Sequence, residues 1–190
     1  MKKLLTLIAL AVLATPGAVV AQTDPVAQAR TLRYAGRFDE ADRVLNAVLR
    51  QNPNDYMAQY NLGLVYEARA ARLVAMPGPD RVALLNKSAA ALEKALALRI
   101  RGNISEYTIY NTLGYVYLQL GDVTNADRVL TAGIPFVDKL TATSRAKFQA
   151  NQGYLASLKG QPKAASNYFN KAAQGGNPAA QSNAARLKKQ

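Results

Sequence analysis

Small and apolar residues recur at helical spacing in a unit that repeats along the chain. Its clearest copy lies at residues 110–122, YNTLGYVYLQLGD, where Leu113 and Tyr117 share one helix face and Gly121 permits a tight turn. A second helical run follows that turn, with Ala126 and Leu130 about one helical turn apart. Because a helix pair cannot bury its apolar faces alone, the pattern predicts stacked helical hairpins.

This unit resembles the tetratricopeptide repeat, a helical hairpin of about 34 residues. In the third copy, the small and apolar positions of the repeat fall on Tyr110, Leu113, Gly114, Tyr117, Gly121, Ala126 and Leu130. In the second copy they fall on Leu62, Gly63, Tyr66, Ser88, Leu92 and Ala95. In the first they fall on Ala29, Leu32, Gly36, Ala41, Leu45 and Pro53, and in the fourth on Gly153, Gly160, Ala165, Phe169 and Ala172. Gln28, Gln152 and Ala156 depart from the pattern.

The resemblance covers about residues 22–178 and implies an all-α fold, a right-handed α-solenoid of about four antiparallel helix hairpins. We expect the repeats at about 22–55, 56–100, 107–140 and 146–178. A polar helix at 179–188 is expected to cap the end of the core, so that residues 22–190 form one domain.

The second repeat contains an insertion at residues 68–80, about thirteen residues relative to the third. The run Met76-Pro77-Gly78-Pro79 within it breaks a helix. Loop statistics favour a longer first helix followed by a surface loop. The alternative is a loop that contacts a ligand or partner.

Residues able to cap a helix mark several predicted helix starts. Asp55, Asp80 and Ser105 are each predicted to be N-caps, as is Thr143 or Ser144 in the fourth repeat. The helices expected after these caps are Tyr56–Ala70, Arg81–Leu98, Glu106–Leu120 and Arg145–Leu158.

The first 21 residues have the pattern of a signal peptide. Lys2 and Lys3 precede the apolar run Leu4–Ala14, and Val19-Val20-Ala21 provides a small-residue cleavage site. We therefore expect export, with the mature chain beginning at Gln22 in the periplasm or secreted medium; the alternative is an uncleaved membrane anchor. No cysteine follows the apolar run, so a lipoprotein is not expected.

Catalytic chemistry has few candidates in this sequence. The chain has no His and no Cys, which removes the commonest general base, the thiol nucleophile and the usual zinc ligands. Among the acidic residues, only Asp39, Glu40 and Asp42 cluster, at a helix start where the helix dipole favours them. We therefore expect no enzyme activity, no cofactor and no metal.

The chain is basic, with 24 Lys and Arg against 12 Asp and Glu and a net charge of +12 spread along its length. This charge can maintain solubility, attract acidic partners or bind nucleic acid. No nucleic-acid motif accompanies it, so we expect no nucleic-acid partner, while peripheral contact with an anionic envelope surface stays open.

In the resembled family, the first helices of successive repeats line a concave groove. The residues expected to face that groove here are Arg30, Arg33, Met57, Tyr60, Leu64, Glu67, Thr108, Asn111, Tyr115, Leu118, Lys147, Tyr154 and Ser157. The set places one tyrosine in each of three repeats, with cations at both ends. Tyrosine and arginine often anchor interfaces, which favours an extended peptide with some acidic character in the groove. The alternative is that these tyrosines pack between repeats.

Some members of the resembled family grip a C-terminal carboxylate with Lys and Asn side chains. Val26 and Arg30 stand where the first repeat would need them, so that activity is not expected here. The resemblance implies a non-enzymatic protein- or peptide-binding scaffold or adaptor, which the predicted export places in the bacterial cell envelope. The alternative is a binder of an anionic ligand, glycan or cell-wall fragment in the same basic, tyrosine-lined groove. The oligomeric state and the identity of the partner stay open.

Overall fold

A computed structural model describes residues 24–75 and 78–187, with side chains described up to residue 184. These residues form an all-α fold without strands. The helices are α1 (Pro25–Tyr34), α2 (Phe38–Gln51), α3 (Tyr56–Ala71), α4 (Pro79–Arg101), α5 (Thr108–Leu120), α6 (Val123–Gly133), α7 (Ala142–Leu158), α8 (Pro162–Gln174) and α9 (Pro178–Leu187). A 3₁₀ helix at Ile134–Lys139 joins α6 to α7. The predicted signal peptide, residues 1–21, lies outside the described residues.

The helices pack as consecutive antiparallel hairpins. The pairs α1/α2, α3/α4, α5/α6 and α7/α8 each form one hairpin, and α9 packs on α8. The second helix of each hairpin also contacts the first helix of the next, so the apolar core runs through the stack. The predicted solenoid of four helix hairpins is therefore confirmed.

In three hairpins, a large side chain of the second helix packs against a glycine of the first helix. A Cβ atom added at Gly63 would lie 2.5 Å from Leu92 Cγ, far inside contact distance. The corresponding distances are 2.5 Å from Gly114 to Leu130 Cδ2 and 2.7 Å from Gly153 to Phe169 Cδ1. In the first hairpin, Ala29 holds this position, and it is fully buried along with Leu45. A small residue opposite a large one thus fixes the register of each helix pair.

Hydrogen bonds between tyrosines and carboxylates connect successive hairpins. Tyr66 Oη in α3 donates to Asp42 Oδ1 in α2 at 3.1 Å, and Tyr117 Oη in α5 donates to Glu93 Oε1 in α4 at 2.8 Å. Arg128 in α6 also pairs with Glu93. The two tyrosine bonds fix the first helix of one repeat against the second helix of the repeat before it.

The insertion mainly lengthens α4. Helix α3 continues to Ala71 and α4 begins at Pro79, so the connection is shorter than the segment predicted at 68–80. Helix α4 has 23 residues and begins earlier than the predicted Arg81. Pro79 suits its first turn, because proline lacks only an N–H that would have no helical partner there.

The predicted caps have mixed outcomes. Asp55 is confirmed, since its side chain accepts a hydrogen bond from Ala58 N at 2.8 Å. The prediction for Asp80 is wrong, because α4 begins at Pro79 and its N-cap is Gly78. Ser105 is also wrong, since α5 begins at Thr108, whose backbone N–H bonds to Glu106 Oε1 at 2.9 Å.

The start of α7 was predicted too late. Thr141, rather than Thr143 or Ser144, caps this helix, and its hydroxyl accepts from Ser144 N at 3.2 Å. The cause is common to these errors: several neighbouring residues can cap, and the preceding turn decides which one has the required non-helical backbone.

None of the described helices combines the length and the apolar character that crossing a bilayer requires.

Candidate functional site

A groove extends along α3, α5 and α7 and reaches α9. It has two lobes that share Tyr115 and Tyr154. We call the part lined by Leu64, Glu67, Asn111 and Lys147 the polar lobe. We call the part lined by Leu118, Gln119, Leu158, Phe169 and Asn183 the apolar lobe, which has a volume of about 540 Å³.

Groove-facing side chains follow the packing register of the hairpins. In each first helix, the residue directly after the small packing residue turns away from the hairpin core. These pairs are Ala29 and Arg30, Gly63 and Leu64, Gly114 and Tyr115, and Gly153 and Tyr154. Leu64, Tyr115 and Tyr154 line the lobes, whereas Arg30 is exposed outside them. One helical step of about 100° separates the two positions, so the packing contact also determines what the groove presents.

Tyr115 and Tyr154 are partly exposed at the junction of the lobes. Each has 41% of its surface accessible. The Tyr154 ring packs edge-on against Phe169, with centroids 5.1 Å apart, and its hydroxyl accepts from Asn183 Nδ2 at 2.8 Å. Partial burial raises the pKa of Tyr115, and the nearby Glu67 carboxylate adds to that increase. Tyr115 is therefore a neutral aromatic surface, and the ring of Tyr154 is held in place.

Tyr60 has a different environment from the other two groove tyrosines. Its ring stacks on Tyr56 with centroids 6.0 Å apart and planes within 5°. Its hydroxyl lies 3.2 Å from Thr108 Oγ1 and 3.4 Å from Thr112 Oγ1, so it connects α3 to α5. This is the packing role described by the alternative interpretation of the tyrosines.

An asparagine pair crosses from α7 to α5 at the base of the polar lobe. Asn151 Nδ2 donates to Asn111 Oδ1 at 2.8 Å, and Asn151 is almost completely buried. Because Asn111 Oδ1 is engaged, the NH₂ group of Asn111 is the donor left to the groove.

The long helix α4 adds an arginine that the groove prediction omitted. Arg81 Nη2 donates to Gln119 Oε1 at 2.5 Å, which brings its guanidinium to the edge of the apolar lobe. The positive charge of Arg81 partly offsets the rise in the pKa of Tyr115. The prediction considered only first helices, whereas Arg81 belongs to a second helix. The insertion before that helix was the feature that could have revealed it.

Glu67 is a carboxylate in a largely desolvated part of the polar lobe. Burial raises its pKa, while the positive charge of Arg33 and the side chain of Gln119 act in the opposite direction. The guanidinium of Arg33 also lies 4.3 Å from the centre of the Tyr34 ring. The charges of Arg33, Glu67 and Arg81 thus lie near the two lobes.

Comparison with known proteins identifies the architecture. Residues 107–134, which include the α5/α6 hairpin, match the tetratricopeptide repeat family. The fold is a tetratricopeptide-repeat solenoid. A protein of Thermus thermophilus, TTC0263, described as a thermophilic tetratricopeptide-repeat protein, superposes with a TM-score of 0.63 at 19% identity, covering 88% of this chain and 81% of that one.

Human IFIT1, solved as a dimer with PPP-AAAA, superposes with a TM-score of 0.68 at 15% identity. The match covers 87% of this chain but only 37% of the IFIT1 chain. At these identities the likeness concerns the tetratricopeptide-repeat fold alone. Among curated proteins, none matches the sequence.

The tetratricopeptide-repeat groove brings together most of the residues predicted to line it. Those that line the two lobes are Leu64, Glu67, Asn111, Tyr115, Leu118, Lys147, Tyr154 and Ser157. Arg30 and Met57 are exposed outside the lobes, and Arg33 acts on Glu67 from α1. Thr108 lies outside them, and its hydroxyl bonds to Glu106 Oε1. The groove therefore combines aromatic surfaces, amide groups and cations.

Proposed function

We propose that this protein is a non-enzymatic scaffold that binds an extended protein or peptide segment in its groove. The observation that carries the proposal is that Tyr115 and Tyr154 each line both lobes and remain partly exposed. A tyrosine offers a large contact surface while losing little conformational entropy on binding. Contiguous exposed apolar surface often marks an interaction site, and tyrosine is enriched in interfaces.

The hydrogen-bonding groups of the groove suit a polypeptide. An extended segment carries backbone donors and acceptors that must be satisfied when it leaves water. Asn111 in the polar lobe and Asn183 in the apolar lobe provide amide groups on either side of the two tyrosines. The tetratricopeptide-repeat architecture supports the same conclusion, because stacked repeats create long concave binding surfaces.

We place this function in the bacterial cell envelope, with the mature chain in the periplasm or secreted. The support is the sequence of residues 1–21, with its basic start, apolar run and small-residue cleavage site. Cell fractionation and the intact mass of the recovered protein test this placement. The expected mature N-terminus is Gln22, and a protein of full-length mass in the membrane fraction would contradict it.

Site-specific photo-cross-linking in intact cells tests the binding surface. A benzophenone amino acid replaces Tyr115 in one variant and Ile100 in a second. Ile100 is the control, because it is 61% exposed on α4 and outside both lobes. The expected result is a discrete protein adduct from position 115 that position 100 does not give. Identical adducts from both positions, or none from position 115, would contradict the proposal.

Salt dependence separates this function from binding of an anionic ligand, glycan or cell-wall fragment. A partner anchored on tyrosines should remain bound as the salt concentration rises from low to moderate values. A purely ionic ligand should be lost steeply over the same range.

A further inference from the structure

Two arginines near the groove have part of their hydrogen-bonding capacity unused. The Nε atoms of Arg33 and Arg81 are buried and have no hydrogen-bond partner among residues 24–75 and 78–184. Within the same residues, the ion pairs are Arg37–Glu40, Arg69–Asp39, Arg128–Glu93 and Lys159–Asp127. Neither of these two arginines, nor Lys147 of the polar lobe, forms an ion pair in this part of the chain.

The balance of charge near the groove is positive. Arg33, Arg81 and Lys147 contribute cations, and Glu67 is the carboxylate among them. One carboxylate among three cations leaves an excess of positive charge. A partner carboxylate would neutralise the excess and accept a charge-assisted hydrogen bond from a guanidinium N–H.

Arg81 lies directly beside the apolar lobe. Gln119 joins the two, since it accepts from Arg81 Nη2 at 2.5 Å and also lines the lobe. Leu158 is 57% exposed and Tyr154 is 41% exposed in the same lobe, so it presents open apolar surface. With a volume of about 540 Å³, the lobe has room for an aromatic or long aliphatic side chain.

We infer that the bound segment carries a hydrophobic residue close to a carboxylate. The hydrophobic side chain enters the apolar lobe between Tyr154 and Leu158, and the carboxylate pairs with Arg81. Because the single side chain of Gln119 separates Arg81 from the lobe and an extended chain advances about 3.4 Å per residue, we expect the two groups within about three residues of each other. This inference rests on the proposed function, because it specifies which peptide the groove selects. The carboxylate can belong to an Asp or Glu side chain or to a C-terminus.

Selection from random peptides tests this specificity without requiring an identified partner. The full mature chain is immobilised and exposed to two libraries of random dodecapeptides. One library is tethered through its C-terminus, so that only side chains supply carboxylates. The other is tethered through its N-terminus and has a free C-terminal carboxylate. The expected result is enrichment of an acidic group within three residues of Phe, Tyr, Leu, Ile or Met, and the library that shows it identifies the source.

The enriched peptide is then measured by fluorescence anisotropy against two pairs of matched variants. Arg81→Gln should raise Kd by roughly 5- to 10-fold, as expected for a half-buried charge-assisted pair. Arg101→Gln, in an exposed residue on the last turn of the same helix, should change it less than about twofold. Leu158→Gln should raise Kd by roughly fivefold, whereas Ile100→Gln, at another exposed aliphatic residue, should not.

A substitution in the peptide makes the assignment independent of the stability of any variant. Replacing its acidic residue with the amide should weaken binding to the wild-type protein and have little further effect on Arg81→Gln. Equal losses with both proteins, or enriched peptides that lack an acidic group, would overturn the inference and leave groove binding in place. Failure to enrich any peptide that depends on Tyr115 or Leu158 would contradict the proposed function itself, and the inference would fall with it.

Discussion

Gly114 and Tyr115 are adjacent in the chain but face different surroundings. Gly114 lies against Leu130 inside the hairpin, and Tyr115 faces the groove. The same arrangement recurs at Gly63–Leu64 and at Gly153–Tyr154. Because one helical step separates the two positions, a shift of the hairpin register would move both side chains together. At the scale of residues, packing and recognition are therefore coupled.

Substitution of Gly114 by alanine tests this packing. Alanine favours the helix by up to about 1 kcal/mol, but its Cβ would lie 2.5 Å from Leu130 Cδ2. Since overpacking typically costs about 1–3 kcal/mol, we expect a net loss in the free energy of unfolding, measured by urea denaturation. Adding Leu130→Ala should reduce the clash, so the two losses should be less than additive. An unchanged urea midpoint for Gly114→Ala would contradict this packing.

Glu67→Gln tests the electrostatics of the polar lobe. Burial raises the pKa of Glu67, so ionisation of the folded protein is penalised as the pH rises from about 4.3, the ordinary value for Glu, through the raised value. Above that window the neutral variant should unfold roughly 1–3 °C higher than the wild type. As the pH falls to 4 and below, the difference in Tm should shrink, because the Glu67 carboxyl becomes protonated in both the folded and the unfolded chain and is then neutral like the glutamine.

Thermal unfolding at several pH values measures this effect, with Glu40→Gln as a control. Glu40 is bound to Arg37, and this contact lowers the pKa of the carboxyl. The control should therefore not be stabilised at neutral pH. A wild-type protein more stable than Glu67→Gln at neutral pH would show that Arg33 outweighs the desolvation of Glu67.

At the scale of elements, the sequence predicted the hairpins better than their ends. The second helical run predicted from Ala126 and Leu130 is present as α6 (Val123–Gly133), where both residues are buried. The predicted cap of α4 was wrong because the helix begins at Pro79, before Asp80. The predicted caps of α5 and α7 were wrong because several polar residues precede each helix and only backbone geometry selects one of them. Arg81 was missed for a related reason: its position depends on where the lengthened helix α4 begins.

The bond between Tyr117 and Glu93 is an interaction between elements that can be removed without disturbing the core. Tyr117→Phe deletes the 2.8 Å hydrogen bond that joins α5 to α4 and keeps the ring. We expect a loss of about 1 kcal/mol in the free energy of unfolding, or roughly 2–4 °C in Tm. Tyr34→Phe, at a tyrosine that is 73% exposed, is the control and should leave Tm unchanged. Equal effects of the two substitutions would argue against the connecting role.

At the scale of the whole molecule, the solenoid depends on contacts between neighbouring units. In such arrays, stability is approximately a sum of terms for each repeat and each interface. Helix α9 covers the last hairpin, where Ala180 and Ala184 pack with Ala165 and Phe169. Asn183 of the same helix bonds to Tyr154 in the groove. One terminal element thus shields the core and completes the apolar lobe.

Deletion of residues 178–190 tests both roles. We expect Tm to fall by several degrees, since the deletion exposes the apolar surface around Phe169 that α9 covers. Helicity measured by circular dichroism should fall by about the content of one short helix, because the remaining hairpins still support one another. Binding of a groove ligand should weaken as the Asn183–Tyr154 bond is lost. A complete loss of helicity would mean that the array unfolds as a single cooperative unit.

The packing glycine has a practical consequence. Because this residue orients the adjacent groove side chain, each hairpin carries both its packing contact and the side chain that it presents to the groove. We therefore expect single hairpins to be exchangeable. A hairpin from another repeat protein could replace residues 107–140, with its small packing residue and the large residue opposite it aligned to Gly114 and Leu130. This exchange should transfer the binding specificity of the new hairpin to the part of the bound peptide that lies against it. The peptide specificity of the groove can then be changed by replacing one hairpin at a time.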